Sequence, residues 1–196
     1  MKLTALCGAA GAGKDTVADM LPARKLAFAD MLYAEVAAAW GVTVRWLKRR
    51  EFKQVVQDVL RLTCCRDEDF LDFVAMRGDL CLTCQRSPRQ ILQWWGDYRR
   101  AQSPDYFVAR LGAVLNWIDP HLDAVITDVR FPNEAAMIRQ LGGQIWQIRR
   151  PGYEAGGTGH ASDTDGSEFS PDLVVTNSGS LEDLRATVLA AWEGSI

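Results

Sequence analysis

Short apolar runs separated by segments whose apolar positions recur every three or four residues organise this chain from end to end. Residues 2–7 read as a buried strand, and 14–21 as a helix that stops near Pro22. Lys25 to Ala29 suggests a second short strand, after which Asp30 is placed to cap a helix from Met31 to Trp40, ended by Gly41. From about Val44 to Trp117 helical spacing dominates, with breaks at Cys64 to Asp69, at Gly78 and at Ser103-Pro104. Strand pattern resumes at Ala124 to Thr127. A helix opened by Pro132-Asn133-Glu134 and closed by Gly142-Gly143 follows, then a strand from Gln144 to Ile148. Residues 151–171 are polar and rich in Gly, Ser, Thr and Asp, which predicts either a cover loop or an idle surface loop. Leu173 to Thr176 makes a fifth strand, and Ser180 caps a closing helix that runs to Trp192.

Apolar strands alternating with helices predict an α/β fold, with a mostly parallel five-stranded sheet covered by helices on both faces in three layers. Such a sheet binds ligands beyond the carboxyl ends of its strands. On this reading that edge gathers Gly8 to Thr16, Asp30, Asp128, Arg130, Arg149, Arg150 and Asn177. At 196 residues the chain suits one domain spanning 1–196, with a helical region at about 31–117 and a lid-like loop at about 150–171.

The chemistry concentrates first in Gly8-Ala9-Ala10-Gly11-Ala12-Gly13-Lys14-Asp15-Thr16. Glycines let a backbone wrap an anion so that several N–H groups and a helix N-terminus face phosphate oxygens, while Lys14 reaches the terminal phosphates. The spacing fits the Walker A pattern, with Asp15 where Ser or Thr is usual and a hydroxyl one place later at Thr16. A bound Mg²⁺ would then be held mainly by phosphates and water, with Thr16 as a protein ligand. The plainer alternative is a Gly/Ala turn beside a surface lysine.

Charge and cysteine content narrow the partners. A net charge of -3 and a pI near 5.4 give no general basic field for nucleic acid, so phosphate recognition must be local. One local excess, Arg45, Lys48, Arg49, Arg50 and Lys53 around Trp46 and Phe52, reads as helix and is either a solvated face or a neighbour of an anionic substrate. No apolar run reaches membrane-spanning length and the amino terminus lacks the shape of a secretion signal, so a cytoplasmic protein is expected. Five cysteines suggest reduced thiols, although Cys64, Cys65, Cys81 and Cys84 leave a structural zinc open.

Asp128, at the end of an apolar strand, is the natural Walker B carboxylate for Mg²⁺, or else a cap for the helix at Pro132. Arg130 would point to the same side and neutralise an acceptor phosphate, or form a surface ion pair. The segment Arg86 to Arg100 joins arginines to amide and aromatic groups on one helix. Arg89 and Gln93 are four apart and share a face, and Trp94 and Trp95 are either stacking surfaces or core.

Gly13-Lys14-Asp15-Thr16, Phe28-Ala29-Asp30, Arg89-Gln90-Ile91-Leu92-Gln93-Trp94-Trp95-Gly96, Asp128 to Glu134, Arg149-Arg150-Pro151-Gly152, His160-Ala161-Ser162 and Asn177-Ser178-Gly179-Ser180 together resemble the bacteriophage deoxynucleoside monophosphate kinase family over nearly the whole chain. The resemblance implies a P-loop kinase fold and transfer of phosphate from ATP, with Mg²⁺, to a deoxynucleoside monophosphate. It implies donor binding by Gly11, Ala12, Gly13, Lys14, Asp15 and Thr16, with an adenine-side role for Asn177 and Gly179. Asp30, Arg89, Gln93, Trp94, Arg99 and Arg130 are expected on the acceptor side, with Arg150 closing over the reacting group. The sequence departs from that family where Met31-Leu32-Tyr33 replaces a Pro-Leu-Lys run and where Asp97-Tyr98 follows Gly96. Two alternatives remain: phosphorylation of a hydroxymethylated base within DNA, with Asp30 or Asp128 as general base, and a noncatalytic nucleotide-binding module. Base preference and pairing into a homodimer are left open.

Overall fold

The computed structural model describes residues 1–78, 81–153 and 168–194. It contains five strands: β1 (Leu3–Cys7), β2 (Arg24–Leu26), β3 (Ala124–Ile126), β4 (Gln144–Arg149) and β5 (Leu173–Thr176). The α-helices are α1 (Lys14–Met20), α2 (Ala29–Trp40), α3 (Val44–Leu47), α4 (Glu68–Ala75), α5 (Pro88–Gln102), α6 (Tyr106–Trp117), α7 (Pro132–Gln140) and α8 (Leu181–Gly194). The chain divides into two compact units, one formed by residues 1–28 and 108–196 and the other by residues 29–107.

The first unit carries the sheet, in the order β2-β3-β1-β4-β5 with every neighbouring pair parallel. Parallel neighbours need crossovers, and strands buried on both faces read as unbroken apolar runs, as β1 does. Alternation then divides each strand between two layers. Leu6, Val125, Trp146, Ile148 and Val175 pack with Val17 and Ala18 of α1 and Leu184, Val188 and Trp192 of α8. The opposite face of β1 and β4 receives α7, whose Ile138 is fully buried beside Leu3. The α/β architecture with a five-stranded sheet is therefore present as the pattern predicts, with every neighbouring pair parallel where a mostly parallel sheet was expected.

The second unit is built around aromatic side chains. Trp40, Phe70, Trp95 and Tyr98 meet edge-to-face or tilted at centroid distances of 4.7 to 5.9 Å, within a core that includes Val36, Leu47, Leu60, Leu62 and Ile91. Helix α5 is well bounded: the Ser87 hydroxyl accepts from Gln90 N–H at 3.3 Å, Pro88 sits in the first turn, and Arg99 and Arg100 lie in the last turn, where cations favour the helix dipole.

Three sequence expectations shift. Strand β2 ends at Leu26 rather than Ala29 because Phe28 N–H leaves the ladder and donates to the Asp128 carboxylate at 2.8 Å. Helix α2 starts at Ala29, which puts Asp30 inside the first turn instead of at the cap. The basic segment expected as one helix is broken, with α3 ending at Leu47 and a separate 3-10 turn at Arg50–Phe52, because Arg49 adopts extended backbone. Among the described residues no helix is long and apolar enough to cross a membrane.

Candidate functional site

The turn after β1 is shaped by glycine. Gly8, Gly11 and Gly13 have φ of 133°, 83° and 104°, a left-handed region that other residues enter at a cost. A Cβ on Gly8 would stand 2.3 Å from the Ile148 carbonyl oxygen, so the turn runs too close to β4 for any side chain there. Gly13 leads directly into α1, whose first residue is Lys14. The Lys14 ammonium donates to the carbonyls of Gly8 at 2.6 Å and Ala9 at 2.8 Å, so it lies across the turn rather than out in solvent. Burial, then the Arg130 charge, holds its pKa below the usual lysine value against the opposing pull of Asp15 and Asp128. That coupling brings Lys14, Arg130 and Asp128 into one electrostatic neighbourhood. Of the remaining turn residues, Ala12 is buried, Thr16 half-buried, and Gly11 and Asp15 exposed.

The other strand ends contribute in turn. Asp128 lies two residues past β3 and accepts from Phe28 N–H at 2.8 Å. The start of α7 is served by the buried Glu134, which reaches back to accept from Arg130 N–H at 2.8 Å and Phe131 N–H at 3.1 Å. Asn177, at the end of β5, donates its side-chain amide to the Ala12 carbonyl at 3.0 Å, and a Cβ on Gly13 would meet the same amide at 2.6 Å. Gly179 precedes α8, where Ser180 and Asp183 cap one another and a Cβ on Gly179 would lie 2.9 Å from the Asp183 carboxylate. Arg150, just past β4, stacks its guanidinium 4.5 Å from the Tyr153 ring centroid. Residues 154–167 fall outside the described residues, and with them the expected His160-Ala161-Ser162 segment and most of the lid-like loop.

The donors at this edge are backbone amides of a left-handed turn, an ammonium, a guanidinium and a side-chain amide, which suits a polyphosphate. The Thr16 hydroxyl and the Asp128 carboxylate are hard oxygen ligands of the kind Mg²⁺ takes. Among the described residues no group of three or more His, Cys, Asp or Glu is gathered for a metal, so Mg²⁺ held here would draw most of its ligands from phosphate and water.

In the second unit, α5 carries Arg89 and Gln93, both half-buried and one turn apart. The Arg89 backbone N–H donates to the Lys53 carbonyl at 2.9 Å, anchoring the start of the helix. The two tryptophans part company: Trp95 is core at 1% exposure, whereas Trp94 is half-buried and lies 5.4 Å from the Arg86 guanidinium. Arg99 is engaged by Glu35, its Nε donating to Oε2 at 2.7 Å, with Trp95, Tyr98 and Tyr106 rings around it. Asp30 pairs with Lys48 at 2.8 Å on an exposed surface. Tyr98 belongs to the aromatic core, and Asp97 pairs with Arg77 at 3.0 Å. Cys81 and Cys84 form a disulfide, correcting the expectation of reduced thiols throughout, while Cys7, Cys64 and Cys65 are not disulfide-bonded. Burial pushes the Cys65 thiol up to about 11.

Sequence reasoning missed Glu35. Its carboxylate accepts from Trp95 Nε1 at 2.8 Å, Arg99 Nε at 2.7 Å and Tyr106 Oη at 2.5 Å. Burial alone would raise its pKa, but the three donors and the Arg99 charge hold it below the usual carboxylate value. A lone acid in the Ala-rich α2 carries no local signal, since its partners lie 60 to 71 residues away. Tyr153 was also missed, although Arg150-Pro151-Gly152-Tyr153 has the residue order of a tight turn.

Fold and edge together define an α/β protein with a glycine-rich, lysine-bearing turn at the carboxyl end of its central strand. No family model matches the chain. A stretch of 78 residues, 39% of this chain, is 38% identical to a protein of Acanthamoeba polyphaga mimivirus named "Putative deoxynucleotide monophosphate kinase". The match spans 40% of that relative's length. A solved structure, TT1252 from Thermus thermophilus, covers 100% of this chain and 98% of its own at 17% identity and a TM-score of 0.49.

Proposed function

We propose that this chain is a nucleotide kinase that moves the γ-phosphoryl group of ATP to a (deoxy)nucleoside 5'-monophosphate. The observation that carries the reading is the convergence of the Gly8 to Thr16 turn, Lys14, Asp128, Arg130 and Asn177 at one edge of a parallel sheet. The name of the partial mimiviral relative supports it.

Phosphoryl transfer asks the protein mainly for alignment and charge neutralisation. Amides of residues 11–16 and the Lys14 ammonium hold the donor β- and γ-phosphates. Thr16 and Asp128 would hold Mg²⁺, which would supply charge neutralisation at the donor phosphates. The bond from the γ-phosphorus to its bridging oxygen breaks as one to an acceptor phosphate oxygen forms, leaving ADP and a nucleoside diphosphate. The acceptor oxygen is already anionic, so no general base is required. The family resemblance assigns the acceptor phosphate to Arg130, acceptor contacts to Arg89 and Gln93, base stacking to Trp94, and the adenine side to Asn177 and Gly179. Arg99, whose Nε is held by Glu35, stays assigned to the acceptor side through its remaining guanidinium N–H groups.

Incubating the protein with ATP and Mg²⁺ against a panel of free nucleoside monophosphates and of DNA carrying hydroxymethylated bases, with products identified by mass, tests this. Diphosphate formed from a free monophosphate is the expected result. Phosphorylated DNA with no diphosphate would move the activity to the modified base, and ATP binding without any product would make the chain a noncatalytic module.

A further inference from the structure

The four residues that follow β4 lie against the glycine turn in a way the proposed reaction does not use. Arg150-Pro151-Gly152-Tyr153 closes on itself through Tyr153 N–H donating to the Arg150 carbonyl at 3.0 Å. Proline stands second and glycine third with φ of 79°, the pattern of a type II turn. Its base is fixed, because the neighbouring Arg149 carbonyl accepts from Asn177 N–H at 2.7 Å. The turn delivers the Tyr153 ring over Gly11: a Cβ on Gly11 would lie 2.8 Å from Cδ1 and 2.9 Å from Cε1 of that ring. The ring also meets the Arg150 guanidinium, 4.5 Å from its centroid.

We infer that the Arg150–Tyr153 turn is an autoinhibitory contact, in which Tyr153 covers the Gly11 side of the phosphate cradle and must leave before a polyphosphate can enter. This inference rests on the nucleotide-binding reading above. A phosphate oxygen must approach cradle amides to within about 2.7–2.9 Å, and ring carbons packed where a Gly11 Cβ would stand crowd the Gly11 side of the cradle. The same contact occupies Arg150, so displacing the ring also frees a guanidinium beside the incoming anion. Tyr153 remains 45% exposed, which makes the cover shallow and displaceable. A protein that binds only after an internal contact opens has its apparent affinity reduced by the fraction already open.

Titrating wild-type protein and Tyr153→Ala with ATP and, separately, with inorganic tripolyphosphate isolates the contact, because tripolyphosphate has no base to stack. For a contact of exposed aromatic and cation–π strength, Tyr153→Ala should bind both probes more tightly by a similar factor of about two- to fivefold. Tyr153→Phe, which keeps the ring, should match wild type. Unchanged affinity in Tyr153→Ala, or weaker binding of ATP alone, would overturn the inference and make Tyr153 a bystander or a base-stacking residue. If wild type and both variants bind neither probe while retaining their melting temperatures, the nucleotide reading itself falls, and this inference with it.

Discussion

The two units reach order by opposite means. In the unit of residues 1–28 and 108–196 the candidate chemistry is largely backbone: left-handed glycines, strand ends and a helix start, with Lys14 turned onto main-chain carbonyls. In the unit of residues 29–107 it is side chain: an aromatic core and one carboxylate, Glu35, collecting three donors from two other stretches of chain. A backbone-built site depends on a few glycines and tolerates variation elsewhere, whereas a side-chain network stands or falls with its individual members.

Substitutions can break that contrast. The largest effect is expected from Lys14→Ala, which should lower turnover by about 10²–10³-fold, the scale of losing one preorganised charge donor, while the melting temperature stays near wild type. Undiminished ATP-dependent turnover would remove Lys14 from the machinery. Next, Trp95→Ala should cost about 3–5 kcal/mol in denaturant unfolding, the range for emptying a large buried aromatic site. A loss under 1 kcal/mol would mean that the second unit does not depend on its aromatic cluster.

How far this contrast was legible beforehand follows from the distance over which each signal acts. The cradle could be read because Gly8, Gly11, Gly13 and Lys14 are contiguous and each glycine has a local conformational reason. β1 and β3 were readable because both their faces are buried, while β2, largely exposed at the sheet edge, was read too long because Asp128, 100 residues on, captures the Phe28 amide. Trp94 and Trp95 were indistinguishable as neighbours, and only packing against Trp40 and Phe70 assigns Trp95 to the core. Arg99 could be read as a basic residue near the end of α5, but its engagement could not. Its partner Glu35, 64 residues earlier, was invisible to any local pattern.

Glu35→Gln sharpens the comparison at a smaller scale. It should destabilise by about 1.5–3 kcal/mol, the range for hydrogen bonds to a charged group, without changing the cradle's affinity for ATP. The pH dependence has a definite sign. Because the folded carboxyl titrates below its unfolded value, its stabilisation is complete above about pH 4.3 and is lost as the pH falls through the lowered folded value. Wild type and Glu35→Gln should therefore converge in stability on acidification, and a gap that widened instead would reverse the assignment. The smallest effect is expected from Lys48→Ala, whose exposed pair with Asp30 should contribute no more than about 0.5 kcal/mol to denaturant stability.

Following backbone amide chemical shifts by NMR as ATP and Mg²⁺ are added reads the grip of the amino-terminal turn residue by residue. The largest saturable shifts are expected on residues 8–16, with Asn177 following at the same midpoint. Saturable shifts confined to other segments, with Gly11, Gly13 and Lys14 unmoved, would contradict that grip.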